Sequence, residues 1–274
     1  SAMRFAICNE LFEGWEHRRV VEFVAQTGYD GLELAPFTFG DHVGEVSADR
    51  RVEIRRIAED HGLAITGLHW LLVKPEGLHL LHPQAAVRNR TVDYLRALID
   101  FCADVGGTNL VFGSPKQRNL DAGVRPDDAW LWARESFFAC GEAAAKRGVT
   151  LCLEALPEDL TNFLNTNAEV IDLVRAVAHP NVRMMVDVKS MCAEAMPIDD
   201  NIRACRGWFR HVHANDANLL GPGFGDVDFR PILGELKEQA YTGFVSVEVF
   251  DFTPGPEEIA KRSLAYMREC LGPV

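Results

Sequence analysis

Short apolar runs alternate with longer amphipathic ones along the whole chain. RFAIC (4–8), GLELA (31–35), AITGLHWLL (64–72) and NLVFG (109–113) read as strands. Each precedes a helical pattern, over 17–27, 48–61, 84–105 and 126–147. Gly28, Gly62, Gly106-Gly107 and Gly148 stand where a left-handed residue ends a helix without a Cβ clash. Four further runs follow: TLCLE (150–154), VRMMVD (182–187), RHVH (210–213) and FVSVE (244–248). Helices are predicted near 167–178, 198–205, 229–240 and 256–270. Repetition of strand then helix at this length predicts an α/β protein, a single (β/α)8 TIM barrel with its active site at the C-terminal ends of the strands. A doubly wound open sheet is disfavoured, because no G-x-G-x-x-G follows the first strand. No linker or composition shift divides the chain, so residues 3–274 read as one domain. Ser1-Ala2 ahead of Met3 reads as a cloning scar.

The last four strands end in Glu154, Asp187, His213 and Glu248, spaced by about one β/α unit each. Parallel strands in a closed ring bring those ends to one rim. Burying three carboxylates together without a cation is costly, so the four residues are the candidate metal ligands. Oxygen and imidazole donors without thiolate suit one divalent ion, Mn2+ first, with Mg2+, Co2+ or Zn2+ as alternatives. A metal at this rim polarises a carbonyl and a neighbouring hydroxyl and stabilises an enediolate. Glu154 and Glu248 are the candidate acid/base pair that moves a proton next to the carbonyl. Loops at 36–47, 73–83, 114–125 and 214–228 follow strands at the same end, and Phe37, Phe39, Trp70 and Phe224 in or beside them are candidate walls of a sugar-sized pocket.

Composition narrows the partners. With 28 basic and 40 acidic residues the formal net charge is −12, which disfavours a nucleic-acid partner. At 47% hydrophobic and 25% charged the chain has mass for a sizeable core, yet no run approaches a membrane span. Seven cysteines without a C-x-x-C pair read as reduced thiols. No signal-peptide pattern is found at the start, and a cytoplasmic location is the expectation. The expected partner is a small sugar or hydroxy-carbonyl substrate; a homodimer is an open expectation.

At LEALPEDLTNFLNT (153–166), MVDVKSM (185–191), HVHANDANLLGPGFGDVDF (211–229) and GFVSVEVF (243–250) the chain resembles the xylose-isomerase-like barrel superfamily, nearest its ketose 3-epimerase and hydroxypyruvate isomerase branch. The resemblance implies that Glu154, Asp187, His213 and Glu248 bind the metal and that Glu154 and Glu248 transfer protons. It also exposes departures. Leu160, Ser190 and Leu219 stand where the epimerases usually carry a glutamate, a histidine and an arginine that hold the substrate's carbonyl end. Candidate replacements for substrate contact are Glu33, His69, Lys116, Gln117, Arg118, Glu158 and Lys189. Asn215 and Asp216 are candidates to support the histidine ligand. The leading expectation is a divalent-metal-dependent sugar isomerase or epimerase. A lyase or deglycosidase acting on a keto-sugar conjugate is the alternative, followed by an apurinic-endonuclease-like nuclease and a non-catalytic sugar-binding barrel.

Overall fold

In the computed structural model, which describes residues 3–273, eight parallel strands close into a barrel in sequence order. The strands are β1 (Arg4–Cys8), β2 (Gly31–Leu34), β3 (Ala64–Leu68), β4 (Asn109–Phe112), β5 (Thr150–Leu153), β6 (Val182–Asp187), β7 (Phe209–Ala214) and β8 (Phe244–Val247). Closure is made by β1 on β8, with Ala6 opposite Ser246. The outer ring comprises α1 (His17–Thr27), α2 (Ala48–Asp60), α3 (Ala85–Asp104), α4 (Pro126–Arg147), α5 (Asn167–Val177), α6 (Val188–Cys192), α7 (Ile198–Ala204), α8 (Phe229–Glu238) and α9 (Pro256–Leu271). Residues 1–2, the expected cloning scar, and residue 274 lie outside the described residues.

Strands covered on both faces must be apolar almost throughout, which is why β2 and β8 are buried at every position. Alternation along a strand then sorts the two faces. Val111, Cys152 and Met185 from three adjacent strands form a small apolar cluster apart from the main core. Two residues further on, Glu154 and Asp187 share the faces of Cys152 and Met185. The helices supply the other layer: α1 buries Val20, Val21 and Val24, and α4 buries Ala133, Phe137, Cys140 and Ala144 at helical spacing.

The third strand is shorter than its apolar run predicts, ending at Leu68 rather than at residue 72. Gly67 has φ +149, and a Cβ there would lie 1.6 Å from the carbonyl oxygen of Asn109. The β2–β3 register shifts at the same level, between Leu32 and Glu33. Trp70 then takes a left-handed φ of 55, which turns the chain out of the sheet and leaves His69 at the rim. The MVDVKSM segment also differs from a plain strand end: Asp187 accepts a hydrogen bond from the Ser190 amide and caps α6. All seven cysteines are free, and five are buried. No helix among the described residues is long and apolar enough to cross a membrane.

One buried histidine gives the fold a pH dependence of its own. His17 of α1 is 7% exposed and its Nε2 lies 3.1 Å from the carbonyl oxygen of Ile54 in α2. Burial holds its pKa down at about 4. Between that value and the ordinary 6.5 the unfolded chain binds the extra proton, so stability rises with pH across this window. Full at pH 7, the contribution is lost on acidification to pH 4, up to about 3 kcal/mol. Unfolding free energies of the chain and of His17→Gln, compared from pH 7 to 4, should converge by that amount; parallel curves would refute the assignment.

Candidate active site

Glu154 follows β5, Asp187 ends β6, His213 sits within β7 and Glu248 follows β8. One donor atom from each lies within 4.8 Å of the others, and all four side chains are buried. His213 Nδ1 is 3.3 Å from Glu248 Oε1 and 3.9 Å from Asp187 Oδ1. It makes no hydrogen bond, although it is sealed from solvent. Its other nitrogen, Nε2, is 2.8 Å from Glu33 Oε2, and a carboxylate can only accept there. With Nε2–H donated to Glu33, His213 turns Nδ1 toward the acid cluster.

The electrostatics point the same way. Burial lifts Glu154 to about 8, with Asp187 and Glu248 adding repulsion. Asp187 is raised by burial and by Glu248. Burial also pushes Glu248 up, but His213 and His69 outweigh it and hold it near 2. Burial disfavours the His213 imidazolium, while Glu248 and Glu33 overcome that and raise its proton affinity. The cluster draws positive charge to one point, and its donors are three carboxylates and one imidazole. Those residues fit a hard or borderline dication.

Two buried triads stand behind the cluster, Glu33 with His211 and His213, and His69 with Glu10 and Glu248. Glu33, 1% exposed, accepts His213 Nε2–H at Oε2 and His211 Nε2–H at Oε1, the latter at 2.6 Å. Burial opposes its ionisation, but His213, His211 and His69 hold its carboxyl well below the usual range. Both oxygens are thus spent on histidines, and Glu33 orients the rings of His211 and His213 instead of facing the barrel mouth as its place in GLELA suggests. His69 spans two acids, with Nδ1 2.9 Å from Glu248 Oε2 and Nε2 2.8 Å from Glu10 Oε2. An imidazole that donates at both nitrogens is an imidazolium. Glu10 escaped the sequence reading, since an acid after β1 in NELF resembles any solvated turn; its only signal was its place one turn past a strand end.

The remaining candidates divide. Asn215 is buried, donates Nδ2 to Asp187 Oδ1 at 2.8 Å and accepts the Lys189 amide at 2.7 Å. Asp216 instead ties its own loop, accepting the amides of Ala217 and Val227. Lys189 is half-buried, with Nζ 5.4 Å from the Phe250 ring centre. Lys116 and Glu158 are exposed, and Gln117 is half-buried. Arg118 corrects the expectation of a substrate-binding loop residue. It is 1% exposed, donating Nη1 to the Glu154 carbonyl at 2.6 Å and Nη2 to the Leu164 carbonyl at 3.0 Å. Burial lowers its pKa to about 10. Arg118→Met leaves the buried Glu154 carbonyl without its partner, while the Leu164 carbonyl keeps the Leu156 amide, and should cost about 2 kcal/mol in urea unfolding. Across the strand gap, a Cβ on Gly113 would lie 2.7 Å from Glu154 Oε2, so glycine makes room for that carboxylate.

Beside the cluster a cavity of about 1070 Å³ opens against Glu10, Trp70 and Phe250. It reaches outward to Trp15 of the β1–α1 loop and to Phe37 and Phe39 after β2. Phe224, the other sequence candidate for a wall, packs against the core near Arg262 instead. Of the three epimerase-anchor positions, Leu160 and Leu219 are exposed and Ser190 is buried.

A family model described as a xylose isomerase-like TIM barrel matches residues 21–270. The D-psicose 3-epimerase of Agrobacterium fabrum is 28% identical over 287 residues, spanning 94% of this chain and 96% of that protein. The L-ribulose 3-epimerase of Mesorhizobium japonicum is 26% identical over 242 residues, 88% of this chain and 78% of that one. A crystal structure of D-psicose 3-epimerase in the presence of D-fructose has a TM-score of 0.86 at 25% identity, covering 99% of this chain and 100% of that chain. The 3-keto-D-glucoside 4-epimerase of E. coli shares the fold, with a TM-score of 0.84 at 20% identity over 98% of this chain and 100% of that chain. The match runs from α1 into α9 and takes in all four clustered side chains: the chain belongs to the xylose isomerase-like TIM barrel family.

Proposed function

We propose that this protein is a divalent-metal-dependent epimerase or isomerase of keto sugars, with Glu154, Asp187, His213 and Glu248 as ligands. The observation that carries the reading is the buried His213 Nδ1, without a hydrogen bond, facing three acids whose donor atoms lie within 4.8 Å. The epimerase activities of the similar proteins support it. A bound dication supplies Lewis acidity, worth several kcal/mol where charge develops on substrate oxygens. The chain's own residues do the proton work. Glu248, with Oε2 fixed by His69, and Glu154, fixed by Arg118 through its backbone, are an acid/base pair on strands three apart in the ring. One takes the proton from the carbon beside the carbonyl, and the other returns a proton to the opposite face, which inverts that centre. Glu33 and Asn215 hold the ring of His213 and the carboxylate of Asp187 in register.

The test is removal and return of the ion. Chelated protein should lose solvent-deuterium incorporation into ketohexoses, and one equivalent of Mn2+ should restore it. Exchange that survives exhaustive chelation, verified by elemental analysis, would remove the metal from the reading.

A further inference from the structure

The cavity beside the cluster is larger than a free ketose requires. Its volume of about 1070 Å³ lies at the top of the roughly 300–1,000 Å³ common for drug-sized ligands. Its walls are aromatic where it leaves the cluster, at Trp70 and Phe250 with ring centres 6.3 Å apart, and again at its outer end, at Trp15 and Phe37. Phe37, Val73 and Phe250 are exposed on it, at 37%, 38% and 40%. Leu219 adjoins the same rim, its carbonyl accepting the Phe250 amide at 2.9 Å, and is 42% exposed. Large apolar groups left open together beside a buried polar cluster mark a surface that a ligand covers. A free hexose, even with a C–H face stacked on one ring, leaves most of these walls uncovered. An aromatic ring gains much, through area and through edge or stacking contacts.

Resting on the reading of the cluster as a keto-sugar site, we infer that the preferred substrate is a keto sugar joined to an apolar aromatic group. The keto sugar occupies the space over the four ligands, and the aromatic group lies between Trp70 and Phe37. Glu10 marks the junction, because it lines the cavity while its Oε2 holds His69, which in turn holds Glu248. Sugar and aglycone thus meet different groups, the cluster and the aromatic walls, with Glu10 between them.

The experiment compares two ligands that differ only in the aglycone, methyl and 4-nitrophenyl 3-dehydro-β-D-glucopyranoside, by calorimetric titration of the manganese-loaded protein. The aryl compound should bind at least about tenfold tighter. Phe37→Ala and Val73→Ser, both at exposed positions where folding loses little, should each cut that preference by half or more. Equal affinities, or a preference that neither variant changes, would overturn the inference. So would a Phe37→Ala variant that alters the sedimentation coefficient while leaving the preference intact, because the apolar rim would then serve a second copy of the chain. Deuterium exchange into D-fructose separates the two readings. Exchange with equal affinities defeats the aromatic inference alone, whereas an aryl preference without exchange into any keto sugar defeats the catalytic reading and leaves the cavity assignment standing.

Discussion

Glu154→Gln and Glu248→Gln should each lower proton–deuterium exchange beside the carbonyl of a keto sugar by at least about 10³-fold, at near-normal metal content. Glutamine keeps an oxygen for the ion and nearly the same volume, so the cluster stays assembled. What it loses is the ability to carry a proton. At position 248 the amide oxygen can still accept from His69, whose Nδ1 stands 2.9 Å from the carboxylate in the native chain. At position 154 the Arg118 bond goes to the backbone carbonyl and is indifferent to the side chain. Single-turnover exchange measured with elemental analysis separates the two effects. A variant that holds the ion and exchanges within tenfold of the native rate would remove that glutamate from the proton path.

Glu33→Ala should be the most damaging change to the fold among the residues that support the site. It strips His211 and His213 of the carboxylate each relies on, at 2.6 and 2.8 Å, in a region with almost no solvent. Removing one member of a buried charged set costs about 3–5 kcal/mol, because its partners stay desolvated. The ring of His213 also loses the bond that fixes its tautomer, so affinity for Mn2+ should fall about 10–100-fold. Glu33→Gln keeps the volume and one acceptor, and should recover part of both losses. Chemical unfolding of the chelated proteins reads the first effect, and manganese titration followed by paramagnetic resonance reads the second. Native-like values for Glu33→Ala in both would show that His213 is oriented by something else.

The barrel and the convergence of four side chains at its rim were legible because both are written locally. Apolar runs closed by glycine repeat, and Glu154, Asp187, His213 and Glu248 each fall at a strand end in that repeat. Residues whose meaning depends on contact across the barrel were not legible. Glu33 meets its histidines 178 and 180 positions away, and Glu10 meets His69 59 positions away. Arg118 sits in a polar loop that gives no hint of burial, and only the approach of the Glu154 and Leu164 carbonyls makes it structural. The apolar run from 64 to 72 hid the end of β3, since hydrophobicity continues through residues whose backbone has already turned.

Because the four proposed ligands hang from β5 to β8, while much of the aromatic wall hangs from the segments after β1 and β2, the two halves of the chain can diverge at different rates. New loops on the first half would redirect such an enzyme to other sugars without disturbing its reactive centre. Stitches across the seam limit that freedom: Glu33 to His211 and His213, Glu10 through His69 to Glu248, and Arg118 to the Glu154 carbonyl. A chimera built from two members of this family should keep its chemistry when those four first-half side chains travel with the second half.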